Sequence, residues 1–99
     1  MALTHWAFIY TAPGADPERD TRLVETGGRK TSLVAVEKPE QAVALVPQLV
    51  ADGVQLIELC GAFGATWTAK VAEAADGKVP VGSVAYGAES IDPLCALFG

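Results

Sequence analysis

The chain has 99 residues, 51% of them hydrophobic and 19% charged, which fits one folded domain and excludes a disordered tail or a two-domain enzyme. Its net charge of -5 leaves seven basic residues (Arg19, Arg22, Arg29, Lys30, Lys38, Lys70 and Lys78) scattered along the chain, so the concentrated positive footprint that nucleic-acid binding requires is absent. No apolar run approaches the length of a membrane span, no positively charged leader precedes the first apolar stretch, and two cysteines suit reduced thiols; the reading is a soluble, unprocessed, cytoplasmic protein with neither membrane nor nucleic acid as partner.

Trp6-Ala7-Phe8-Ile9-Tyr10, closed by Ala12-Pro13-Gly14, reads as a buried first strand followed by a turn. Asp16-Pro17 supplies an N-cap and an N1 proline, and Gly27-Gly28 a stop, which predicts a helix over residues 17–26. Its apolar face is poor, with only Leu23 and Val24 to anchor it. The β-branched, apolar run Thr31 to Val36 is the second strand. Pro39-Glu40 opens a helix in which Ala42, Val43, Leu45, Val46, Leu49 and Val50 recur at helical spacing until Asp52-Gly53, with a kink or break expected at Pro47. Val54 to Cys60 is the third strand and Trp67 to Ala75 the third helix, stopped by Asp76-Gly77. Val79 to Ala85 is the fourth strand, with Pro80 near its start, where a missing donor is tolerated. Residues 90–99 form an apolar C-terminal tail or short helix, with Asp92 as N-cap and Pro93 at N1.

Strand and helix alternate, and every connection is long enough for a parallel crossover. The expected fold is therefore a single α/β domain over residues 1–99: a four-stranded parallel sheet of βα repeats, as a flavodoxin-like three-layer sandwich in strand order 2-1-3-4. Half a (β/α)8 barrel completed by dimerisation fits the same pattern. A chain this short has little surplus for a deep pocket of its own, its tail is too apolar to hang in water, and a small sheet has two exposed edges. Together these point to a homo-oligomer.

Parallel strands bring their C-terminal ends together, and ligands bind at that edge. The stretch Gly53 to Trp67 is therefore central: an apolar strand, a glycine loop and a helix start, with Glu58 and Cys60 just before the turn. Alternation places Glu58 and Cys60 on one face. Flanked by Ile57 and Leu59, Glu58 is the candidate acid-base residue, its pKa expected to rise through poor solvation; the structural alternative is an ion pair or hydrogen bond, to Lys38 or the loop backbone. Cys60 is a candidate nucleophile, although no histidine lies near it and a buried small residue explains it better. Gly61 and Gly64, leading through Thr66 into a helix, could offer backbone N–H groups to an anion, without the spacing of a dinucleotide or phosphate loop. Phe63 and Trp67 are candidate ring contacts, and Tyr10, Tyr86 and Lys38 candidate polar contacts at neighbouring strand ends. One histidine and two cysteines 35 positions apart supply no metal site, and no cofactor motif is present.

The run Ile57 to Gly64, with Trp6 to Tyr10 before it and Val79-Pro80-Val81-Gly82 after it, resembles a small uncharacterised bacterial family catalogued as a domain of unknown function. The resemblance covers residues 6–87 and leaves out the last ten. It implies no established activity and therefore no catalytic residues.

Three functions fit these features. The first is binding of a small polar or anionic metabolite at the sheet edge with acid-base turnover by Glu58, as in an isomerase, lyase or hydrolase. The second is metabolite binding without turnover, and the third a structural homo-oligomeric subunit assembled through its tail.

Overall fold

The computed structural model describes residues 2–98. It is an α/β fold built on one mixed, mostly parallel sheet. In chain order the elements are β1 (His5–Thr11), α1 (Pro17–Asp20), β2 (Arg22–Thr26), β3 (Arg29–Val36), α2 (Pro39–Ala51), β4 (Ile57–Leu59), α3 (Gly64–Ala75), β5 (Val81–Ser83) and α4 (Ile91–Phe98). The sheet order is β2-β3-β1-β4-β5. β3, β1, β4 and β5 are mutually parallel, and β2 joins β3 antiparallel at one edge.

The sheet thus has five strands and not four, and the extra one replaces most of the helix expected over residues 17–26. Asp16 does cap a helix, its side chain accepting from the Glu18 N–H, but that helix ends at Asp20. Residues 22–26 offer no continuous apolar stripe to bury as a helix, whereas Gly27 and Gly28 take φ of 61° and 77°, the positive pair that a two-residue hairpin turn of type I′ requires. The glycines therefore turn the chain instead of stopping a helix. The four parallel strands keep the order 2-1-3-4, which excludes the half barrel, whose strands would follow one another in sequence.

α2 runs unbroken through Pro47, which faces solvent, so the carbonyl it leaves without a donor can be hydrated. At its start the Gln41 side chain accepts from the backbone N–H groups of Glu37 and Lys38. α3 ends at Asp76, which adopts the left-handed conformation, followed by Gly77.

α2 and α3 pack on each other and on one face of the sheet. Ala7, Ile9, Val34, Val36, Ile57 and Leu59 from the strands meet Ala42, Val46, Val71 and Ala75 from these helices in one buried cluster. Alternation sends Trp6, Phe8, Tyr10 and Leu33 to the other face; they are half-buried and stand outside that cluster. Phe8 and Tyr10 stack there with ring centroids 6.5 Å apart. Among the described residues, no helix is long and apolar enough to cross a membrane.

Candidate functional site

The C-terminal ends of β1, β4 and β5 are tied together by backbone bonds. Cys60 N–H donates to the Ile9 carbonyl at 3.0 Å, and Val84 N–H donates to the Leu59 carbonyl at 2.9 Å. After Cys60 the chain makes one 3-10 turn, Gly61–Phe63, closed by the Phe63 N–H donating to the Cys60 carbonyl at 3.2 Å. Phe63 buries its ring in the core, and Gly64 at φ 67° redirects the chain into α3. That anchoring leaves Gly61 and Ala62 at the end of the sheet beside Cys60, which is half-buried against the core.

They form one wall of a cavity of about 800 Å³, within the range of small-molecule sites. Tyr10 and Thr11 supply the adjoining wall from β1, and Leu94, Cys95 and Phe98 of α4 stand opposite. Tyr86 closes one side. Its ring lies so near Gly61 that a Cβ there would sit 2.9 Å from the ring's Cε2 atom, so a glycine permits this approach. Apart from the two tyrosine hydroxyls, the Thr11 hydroxyl and the thiols of Cys60 and Cys95, the side chains around the cavity are apolar. Both cysteines are free thiols.

On the other side of Tyr10 lies a shallower depression of about 370 Å³ that includes Gly14, Arg19, Asp20 and Arg22. Its polar groups are largely spoken for. Gly14 N–H donates to Glu37 Oε2 at 2.8 Å, and Arg19 Nη2 donates to the Gly14 carbonyl at 2.9 Å and to Asp20 Oδ2 at 2.8 Å. The Arg19 hydrogen bond, with a second from the Asp16 N–H, holds the Asp20 carboxyl down at about 2. This network fastens the β1–α1 loop to the end of β3.

Of the residues singled out in the sequence, Tyr10, Cys60, Gly61 and Tyr86 meet in the large cavity. Glu58 lies one alternation before Cys60 on the uncovered face, half-buried, in register with Phe8 on one side and Gly82 on the other. Among the described residues it makes no side-chain hydrogen bond or ion pair, so neither Lys38 nor the loop backbone holds it. The remaining five go elsewhere. Lys38 is exposed ahead of α2, Phe63 is in the core, and Gly64 and Thr66 are exposed at the start of α3. Trp67 packs beside Val43 between α2 and α3, with Lys70 Nζ 4.2 Å from its ring centroid. A helix start carries side chains around its axis by 100° per residue, so proximity in sequence to the glycine loop did not put them in the cavity. Thr11 and Ala62 lie in the strand-end stretches to which the sequence points, whereas Leu94, Cys95 and Phe98 were not anticipated; the signal for these three was the apolar tail itself. Among the described residues, no three His, Cys, Asp or Glu side chains converge as a metal site would need.

The chain belongs to the family of unknown function DUF6506, whose model matches residues 4–99 and so includes the C-terminal segment. No curated protein and no solved structure matches it.

Proposed function

We propose that the protein binds a small metabolite at the C-terminal edge of its sheet, with α4 as the outer wall of the site, and that it works as a homo-oligomer. The observation that carries the reading is the roughly 800 Å³ cavity at the ends of two parallel strands, where α/β folds of flavodoxin-like order hold their ligands. Its walls favour a ligand with an apolar body and a small polar or anionic group able to reach Tyr10, Tyr86 or a thiol. Binding is favoured over turnover because Glu58 stands outside the walls, which leaves the site without a carboxylate to act as base. The sheet supports the oligomer: Trp6, Phe8 and Leu33 stand outside the helix-covered core and keep part of their apolar surface in water.

Native mass spectrometry of the full chain equilibrated with a cell metabolite extract tests the binding reading. The expected result is a stoichiometric small-molecule adduct that is lost on denaturation and absent from Leu94→Arg. A wild-type spectrum without adduct, or an adduct equally strong in the variant, overturns it. Conversion of the bound molecule during prolonged incubation, abolished in Cys60→Ser or Glu58→Gln, would replace binding by catalysis.

A further inference from the structure

We infer that the uncovered face of the sheet is a two-fold interface with a second copy of this chain. The inference rests on the homo-oligomer in the reading above and is independent of the ligand. One register row crosses the face: Arg22 of β2 is opposite Leu33 of β3, Leu33 opposite Phe8 of β1, and Phe8 opposite Glu58 of β4. Residues paired in register project to the same face, so the row runs cation, aliphatic, aromatic, carboxylate across the sheet. A two-fold axis parallel to the strands, passing between Leu33 and Phe8, reverses that order in the second copy. It sets Arg22 against Glu58 at both ends and Leu33 against Phe8 twice in the middle. Each copy thus presents the complement of what it meets, as an isologous interface demands.

The flanking rows agree with this arrangement. Val24, Thr31 and Trp6 form one and bring no like charges together; in the other, Ala35 is already buried and Tyr10 lines the cavity, so the interface ends before that row. A two-fold axis perpendicular to the strands would instead oppose Glu58 to Glu58 and Arg22 to Arg22, so the charges select the first axis. Glu58 supplies the second argument, because it is half-buried without a partner among the described residues and a second surface laid over it must bring a cation. Arg22 is suited to that part: it is exposed, uses Nη1 to donate to the Arg19 and Thr21 carbonyls, and keeps its other donors for a carboxylate. Strand number, length and spacing give the face a planar footprint of roughly 300–450 Å², the right scale for the buried centre of an interface of about 800 Å² per partner.

Sedimentation equilibrium of the full chain at micromolar concentration tests the interface, with circular dichroism to confirm folding. The expected result is a dimer whose dissociation constant rises by at least about tenfold in Glu58→Arg and in Arg22→Glu and returns most of the way in the double variant. Truncation after Glu89 should leave the dimer in place. Acrylamide quenching of Trp6, read in a Trp67→Phe background, should fall as the dimer fraction rises, and this measurement needs no charge reversal to fold. A wild-type monomer at every concentration overturns the interface and the homo-oligomer together. A wild-type oligomer that ignores both reversals, that dissociates on truncation, or that leaves Trp6 equally quenched overturns the interface alone.

Discussion

Ala7 and Ile9 turn to one side of β1 and are fully buried, whereas Trp6, Phe8 and Tyr10 turn to the other and keep part of their surface in water. The same division runs through β4 and through β3 except at Ala35, which is buried on the other side. The helix side carries small and branched aliphatic residues (Val34, Val36, Ile57 and Leu59), which pack densely under α2 and α3. The other side carries rings, a leucine, an arginine and a carboxylate. A strand whose two faces were both closed by its own helices would be aliphatic throughout. Here one face is composed for burial within the chain, and the other mixes rings with charged residues and keeps part of its surface in water.

The largest test of that contrast is a matched pair of truncations. Leu59→Ala should lower the unfolding free energy by about 2–5 kcal/mol, since the site is fully buried and can collapse only in part. Phe8→Ala removes more atoms yet should cost only roughly 1–2 kcal/mol in the monomer, because the ring keeps part of its water. Urea denaturation at concentrations low enough to exclude association compares them. A larger loss from Phe8 would mean that the face called uncovered is already closed.

The next effect sharpens where the uncovered face ends. β2 contributes Arg22 and Val24 to it only while the hairpin turn holds. Gly28→Val places a β-branched residue at φ 77° and should cost about 1–2 kcal/mol, whereas Gly27→Asn should be nearly neutral, since asparagine followed by glycine suits this turn. Equal effects from the two would mean that the turn is of another type.

The smallest effect is local. Asp20 should titrate near pH 2 in a carbon-detected NMR experiment and move up toward the usual aspartate value in Arg19→Ala. With the folded value below the unfolded one, its contribution is complete above the unfolded pKa and disappears as the pH falls toward 2. The pair is exposed, so the change is expected in the titration curve and not in the melting temperature. An Asp20 that titrates normally would mean that Arg19 does not hold its carboxylate in solution.

Much of the fold was legible because burial writes itself into periodicity. The apolar runs located all four parallel strands, and crossover length set their direction. The hairpin was lost because Asp16-Pro17 is a true helix start, and nothing local announces that the helix lasts one turn. The poor apolar stripe of residues 22–26 was the available warning. Of the cavity's lining, Tyr10, Cys60, Gly61 and Tyr86 could be placed together from strand ends alone. Trp67 and Phe63 were not, since the orientation of a helix start depends on which of its residues the core takes. The cavity's outer wall was hidden for a different reason: α4 meets the strand ends from far along the chain, and no periodic pattern encodes such a contact.

The glycine turn also bears on the order in which the chain assembles. β2 and β3 are neighbours in sequence, so their pairing closes only a short loop, on the microsecond scale typical of hairpins, while each parallel pairing must wait for a whole crossover. β3 is therefore expected to acquire one partner before β1 docks along its other side, and the hairpin to act as the template on which the parallel strands collect. On that route a strained turn delays folding more than it hastens unfolding, and the penalty of Gly28→Val belongs mainly to the folding limb of a chevron plot.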